Sequence, residues 1–181
     1  MSRTVTLVRH PPVADSIVGF CYGASDVPLG PEGIAVAREL VVILSQRSVT
    51  RIVHTGLSRT AVVAEGLAER IGIPTVADFR LRERHFGTWE LRRWDDIYAE
   101  TGEEMMGIIQ APDSWRPPGG ETLFEMRDRA LAWYHELPAD GHSIAIAHGG
   151  PIAAILGTLQ GVPAAEWVKL IPRPGQIVSI S

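Results

Sequence analysis

Apolar and polar positions alternate over residues 4–8, and the run is rich in β-branched side chains, which predicts a buried strand. The strand leads straight into Arg9-His10-Pro11-Pro12, where two prolines end the ladder and stiffen the turn. A loop bearing Gly and Pro covers 19–30. Pro31 and Glu32 suit the first turn of a helix whose apolar face reads as Ile34, Ala37, Val41 and Leu44. Residues 51–54 read as a second strand. Gly56 then turns the chain, Ser58 is a candidate N-cap, and a helix reaches about residue 70 before Gly72 ends it. A third strand is expected over 76–79. The stretch 80–118 is the least regular, with short helices predicted over 94–98 and 105–110. Thr122 and Glu125 form a capping-box pattern, and Leu123, Met126, Ala130, Tyr134 and Leu137 recur at helical spacing. Residues 143–147 predict a strand, His148-Gly149-Gly150-Pro151 a turn, 152–159 a helix closed by Gly161, and 176–180 a last strand.

Strands alternating with helices predict an α/β fold, a three-layer αβα sandwich with a mainly parallel central sheet. The 181 residues fit a single domain, 1–181, large enough to hide roughly 70% of the surface of the unfolded chain. Hydrophobic residues make up 45% of it, which argues against disorder. The formal charge of −4 argues against a general nucleic-acid binder. One cysteine, Cys21, excludes an intrachain disulfide and fits a reducing compartment. No secretory h-region and no apolar run of about 20 residues is visible, so the expectation is a cytoplasmic protein without a membrane partner.

In open parallel sheets, ligands bind beyond the carboxyl ends of the strands. Three segments share one layout of strand, polar residues and helix: those reaching Arg9-His10, Ser58-Arg59 and His148-Gly149-Gly150. The layout predicts that these residues converge. A neutral imidazole can attack phosphorus, arginine forks suit phosphate oxygens, and N–H groups at a helix start add donors. A cation at a helix N-terminus opposes the helix dipole, so Arg59 there points to an anion. The bland account of each residue is a structural histidine or a solvated arginine, and no one of them decides the matter.

Together they form a pattern. Leu7-Val8-Arg9-His10, Leu57-Ser58-Arg59-Thr60-Ala61, Leu81-Arg82-Glu83 with Phe86-Gly87-Thr88-Trp89-Glu90, Pro118-Gly119-Gly120-Glu121-Thr122 and Ala147-His148-Gly149-Gly150 occur in order. This resembles the histidine phosphatase superfamily, the phosphoglycerate mutase-like family, over nearly the whole chain. The resemblance implies that His10 is the phosphorylated nucleophile, that Arg9 and Arg59 bind the phosphate and that His148 contacts it too. It implies that Glu83 protonates the leaving oxygen and that Gly149 gives the phosphate a backbone N–H. It implies a metal-independent phosphomonoesterase with no cofactor, acting on a small-molecule phosphomonoester.

The chain departs from the family pattern at three places. Pro11 replaces a glycine and removes a backbone donor, Ser16 stands where an asparagine is frequent, and Gly56 stands where a proline precedes the second arginine. Glu83 has a bland account as part of an ion-pair cluster with Arg80, Arg82 and Arg84. Glu90 and Glu121 read as structural, and Trp89 and Trp94 as core or pocket wall. His54, His85, His135 and His142 lack metal-ligand spacing, and Cys21 reads as packing because no Cys-x5-Arg loop follows. The segment Cys21-Tyr22-Gly23-Ala24-Ser25-Asp26-Val27-Pro28-Leu29 resembles a loop of α-ribazole phosphatases, which implies α-ribazole 5′-phosphate, in cobalamin biosynthesis, as substrate. Open beside it are a broad small-molecule phosphatase, a phosphoglycerate mutase-like enzyme, a protein phosphohistidine phosphatase and a catalytically idle phosphate-ligand-binding protein. The irregular stretch 80–118 is expected to line the pocket.

Overall fold

The period-two pattern of the central strands divides each of them between two cores. The structure, a computed structural model, describes residues 3–180. Its strands are β1 (Thr4–Arg9), β2 (Arg51–His54), β3 (Thr75–Ala77), β4 (His142–Ala147) and β5 (Ile177–Ile180). Its helices are α1 (Pro31–Leu44), α2 (Ser58–Ile71), α3 (Trp94–Thr101), α4 (Gly107–Gln110), α5 (Leu123–His135) and α6 (Gly149–Leu159). The sheet runs in the order β3-β2-β4-β1-β5; β3, β2, β4 and β1 are parallel, and β5 pairs antiparallel to β1.

Val5, Leu7, Val53, Ala145 and Ala147 pack on one face against Ala130, Trp133, Ile152 and Ile155 of α5 and α6. Val8, Ile52, Ile144 and Ile146 pack on the other face against Ala37, Leu40, Leu44, Val63 and Leu67 of α1 and α2. This is the expected αβα sandwich. Each fully buried Leu or Ile contributes about 1.5–3 kcal/mol, so the central strands are firmly held and their carboxyl ends form a rigid rim. Among the described residues no helix is long and apolar enough to cross a membrane.

Several local expectations shift. On α1 the buried stripe is Gly33, Ala37, Leu40 and Leu44, while Ile34 is 43% exposed. The cause is a close approach: a Cβ on Gly33 would meet the Pro12 carbonyl oxygen at 2.0 Å, so this glycine turns inward and its neighbour outward. Ser58 is the first residue of α2, and Leu57 is the N-cap. The anion at that helix start is Asp26, whose Oδ1 accepts from the Ser58 backbone N–H (2.9 Å) and hydroxyl (2.8 Å). The third strand ends at Ala77, where Asp78 caps a 3₁₀ turn, Phe79–Leu81. Gly149, Gly150 and Pro151 belong to α6 rather than to a turn before it. First-turn N–H groups have no intrahelical partner, so Pro151 costs the helix nothing there. The Thr122–Glu125 capping box forms as expected, with bonds of 3.0 and 2.7 Å.

Candidate active site

The turns after β1, β2 and β4 bring Arg9, His10, Arg59 and His148 to one cavity of about 270 Å³, and the segment after Leu81 adds Glu83. Gly149 stands just behind its wall: a Cβ there would lie 3.3 Å from Arg9 Cζ, so the glycine lets the guanidinium lie flat against the start of α6. The cavity itself is lined by the next residue, Gly150.

His10 is 2% exposed, and its backbone N–H continues the β1–β4 ladder to the Ala147 carbonyl. Its Nδ1 lies 2.7 Å from the Pro11 carbonyl oxygen. A carbonyl only accepts, so Nδ1 carries the proton and Nε2 keeps its lone pair. Pro11 therefore loses a donor but supplies the acceptor that orients the ring. Burial, then Arg59, push the His10 pKa down to about 3, against the opposing bond to Pro11.

His148 is fully buried. The Thr60 hydroxyl donates to the Leu57 carbonyl at 2.8 Å, so the Thr55 hydroxyl donates to Thr60 Oγ1 at 2.9 Å. With its proton spent there, Thr55 Oγ1 accepts from His148 Nε2 at 3.0 Å. The neutral His148 ring therefore bears its proton on Nε2 and a lone pair on Nδ1. Burial first, then Arg59 and His10, hold its pKa well below the ordinary histidine range.

Arg59 is fully buried at the second position of α2. Its Nη1 and Nη2 donate to the carbonyls of Ser25 (2.7 Å) and Gly23 (2.8 Å). Arg9 Nη1 donates to the Pro172 carbonyl at 2.8 Å. Among the described residues four buried side-chain nitrogens lack a partner: the Nε–H donors of Arg9 and Arg59, Nη1 of Arg84 and Nδ1 of His148. Buried donors of this kind are costly unless something accepts from them. Two cations with spare N–H groups suit a tetrahedral oxyanion, and the imidazole lone pair beside them can join only by taking up a proton.

Glu83 makes no side-chain ion pair with Arg80, Arg82 or Arg84, which removes its bland account. Arg80 pairs with Asp78 and Glu136, Arg82 Nε donates to the Thr55 carbonyl, and Arg84 donates to the Glu121 and Trp115 carbonyls. The Glu83 carboxylate accepts the backbone N–H groups of Arg84 (2.9 Å) and Gly150 (3.1 Å). A Cβ at Gly150 would stand 2.2 Å from Glu83 Oε1, so a larger residue at 150 would push the carboxylate out of this position.

Three supports complete the site; Arg129 and the Thr55–Thr60 relay escape sequence reasoning, while Glu90 has the structural role expected of it. Arg129, from α5, donates to the carbonyls of Arg80 (2.7 Å), Arg82 (2.6 Å) and Glu83 (3.0 Å) and is held by Glu121. Glu90 accepts from the N–H groups of Ala24, Ser25 and Phe86, which pins the loop whose carbonyls hold Arg59. The Thr55–Thr60 relay sets the His148 tautomer. Arg129 sits seven residues past the N-cap of α5, and only the tertiary fold shows what it grips. Ser16 and His85 are exposed and do not line the cavity. Cys21 is buried, and burial pushes its thiol up to about 12, which fits packing rather than nucleophilic chemistry. The stretch 80–118 supplies Phe86, Trp94 and Ile108 to the wall, as expected.

The family described as "Histidine phosphatase superfamily (branch 1)" matches residues 5–181. A protein of Salmonella typhi named "Probable phosphoglycerate mutase GpmB" is 32% identical over 168 residues, 91% of this chain and 77% of the relative. The mycobacterial glucosyl-3-phosphoglycerate phosphatase Rv2419c, solved in complex with inorganic phosphate, is 27% identical and superposes with a TM-score of 0.86 over 99% of this chain and 90% of that one. The α-ribazole phosphatase of Shigella flexneri shares the fold, with a TM-score of 0.83 at 22% identity over 98% of this chain and 90% of that one.

Proposed function

The chain belongs to the histidine phosphatase superfamily, and on that premise we propose that it is a metal-independent phosphomonoesterase working through a phosphohistidine on His10. The observation that carries the reading is the buried cluster of Arg9 Nε, Arg59 Nε and His148 Nδ1, all without partners, in the cavity that also holds His10. The two Nε–H groups donate to the phosphoryl oxygens and His148 joins them once its Nδ1 is protonated, with Gly149 at the start of α6 a further expected donor.

In the first step the Nε2 lone pair of His10 forms a bond to phosphorus as the bond to the leaving oxygen breaks. Glu83 gives that oxygen its proton. The phosphorylated ring is cationic, and its Nδ1–H remains on the Pro11 carbonyl, which stabilises that charge. In the second step water attacks phosphorus, its proton passes to the Glu83 carboxylate, and the N–P bond breaks to restore the Nε2 lone pair. His148 steadies the charge on the oxyanion. Every proton-carrying part is a side chain, so the reaction runs in EDTA.

The substrate proposed first is α-ribazole 5′-phosphate. The segment 21–29 that suggests it serves mostly the phosphate end, since the Gly23 and Ser25 carbonyls hold Arg59. Tyr22 and the aromatic wall of Phe20, Phe86 and Trp94 give the nucleoside base a surface. A mutase reading draws on the Salmonella typhi relative. Phosphate release from α-ribazole 5′-phosphate in EDTA, with p-nitrophenyl phosphate alongside and acid-labile label trapped on the protein, tests the proposal. Release from the second ester alone keeps the mechanism and discards the substrate. Interconversion of 2- and 3-phosphoglycerate without release would replace hydrolase by mutase, and an unlabelled, inactive protein would favour an idle phosphate-binding fold.

A further inference from the structure

The cavity changes character beyond Glu83. Away from the phosphate-facing arginines and imidazoles, its wall includes Phe20, Phe86, Trp94, Ile108, Leu123 and Met126. A second cavity of about 170 Å³ adjoins it and shares Ile108, Leu123, Gly150 and Ile171 with the first. Small side chains open that second space: Ala153, Ala164 and Ala165 line it beside Trp167. Trp167 is fixed, because its indole N–H donates to the Val162 carbonyl at 2.8 Å and the ring lies tight on Gly157. The indole therefore offers the second cavity an apolar face and no spare donor.

The junction between the two spaces is also the place where the leaving group starts. Gly150 lines both cavities, and its N–H holds the Glu83 carboxylate. An oxygen within hydrogen-bond reach of Glu83 puts its own substituent at that junction, facing apolar walls ahead. Arg84 is the cation outside the phosphate cluster. Its Nε and Nη2 are committed to the Glu121 and Trp115 carbonyls, and its guanidinium lies 5.6 and 5.7 Å from the Phe86 and Trp115 ring centroids. One nitrogen, Nη1, has no partner, so a carboxylate on the leaving group is the rival occupant.

We infer that the two cavities form one apolar compartment for the leaving group, and that the enzyme selects phosphomonoesters whose alcohol carries an aromatic or aliphatic body without a second anionic group. This rests on the phosphomonoesterase reading and narrows its substrate class. Binding energy gained in the far cavity is realised at Glu83, so it raises kcat/KM.

The test is kcat/KM for n-alkyl phosphates from ethyl to decyl, with 3-phosphoglycerate in parallel. Burial of each methylene predicts a rise of about four-fold per carbon until the compartment is full. A flat series, or 3-phosphoglycerate outrunning the longest ester, overturns the inference while leaving the phosphatase reading intact. Ala165 is exposed and lines the second cavity alone. Ala165→Asp should lower the decyl-to-ethyl ratio about ten-fold and Ala165→Leu should restore it; an unchanged ratio in Ala165→Asp counts against the far cavity. Binding of the same esters to His10→Ala by titration calorimetry gives the chain-length slope without turnover. A slope there supports the compartment even if hydrolysis fails, and no slope ends it.

Discussion

At the phosphate end of the cavity, side chains are held by directed hydrogen bonds: Arg9 by Pro172, Arg59 by Gly23 and Ser25 and His148 by Thr55, all from distant segments, and His10 by its neighbour Pro11. At the other end, Phe20, Trp94, Leu123 and Met126 line the cavity with apolar surface. Hydrogen bonds and charges have direction, so the first end fixes one geometry and one chemistry. Apolar burial has no direction and scales with area, so the second end grades many alcohols by size. Changes at the first end should therefore lower turnover of every ester alike, whereas changes at the second should reorder the esters.

The largest effect expected is at His10. His10→Ala should lower kcat by at least about 10⁴-fold for short and long esters equally, and no acid-labile phosphate should be trapped on the protein. Near-normal turnover would end the phosphohistidine mechanism. Glu83 lies at the boundary between the two ends and should show both behaviours. Glu83→Gln should cost about 10³-fold with alkyl phosphates but less than about ten-fold with p-nitrophenyl phosphate, whose leaving oxygen needs no proton. Equal losses on the two esters would remove Glu83 from the proton transfer.

Arg129 touches neither end, yet it grips the three carbonyls that lead to Glu83. It is a positioning residue. Arg129→Met should lower kcat for alkyl phosphates by about 10²-fold, leave KM within about two-fold, and spare p-nitrophenyl phosphate as Glu83→Gln does. Arg129→Lys should recover little, because an ammonium cannot span three carbonyls as a fork does. A loss of the same size on both esters, tracking a fall in thermal stability, would mean that Arg129 holds the fold and not the acid.

The two ends also differ in how far the sequence reveals them. The phosphate end is carried by short strings next to strand ends, such as Leu7-Val8-Arg9-His10 and Ala147-His148-Gly149-Gly150, and strand-then-helix punctuation suffices to predict their convergence. The capping box at Thr122 was legible for the same local reason. The leaving-group wall draws residues from the segment after β1, the irregular stretch, α4, α5 and the chain after Leu170, and no periodicity marks which side chains face inward. The face of α1 was misjudged because a glycine, which has no hydropathy signal, makes the closest contact with Pro12. The grip of Arg129 on residues 46–49 positions away, and the release of Glu83 from its arginine neighbours, are tertiary facts.

The smallest effect separates the ends by proton rather than by ester. His10 is buried neutral, with its pKa pushed from the ordinary histidine value of 6.5 down to about 3. Between those values the unfolded chain binds more protons than the folded one, so stability rises with pH across the window, is complete above about 6.5, and is lost as pH falls towards 3. At pH 5 the His10 ring alone costs about 2 kcal/mol relative to neutral pH. Urea unfolding at pH 5 and pH 7.5 should show that loss, and His10→Asn should reduce it by about that amount, whereas apolar substitutions at Leu123 should not change the pH slope. His148 adds a ligand-linked signature, because its Nδ1 holds a lone pair in the free protein and must gain a proton to donate to a dianion that carries none, such as sulfate. Sulfate binding should therefore take up about one proton near pH 8, seen as calorimetric enthalpies that vary with the ionisation heat of the buffer. Enthalpies independent of buffer, together with an acid slope that survives in His10→Asn, would mean that the phosphate end is not built from two neutral imidazoles.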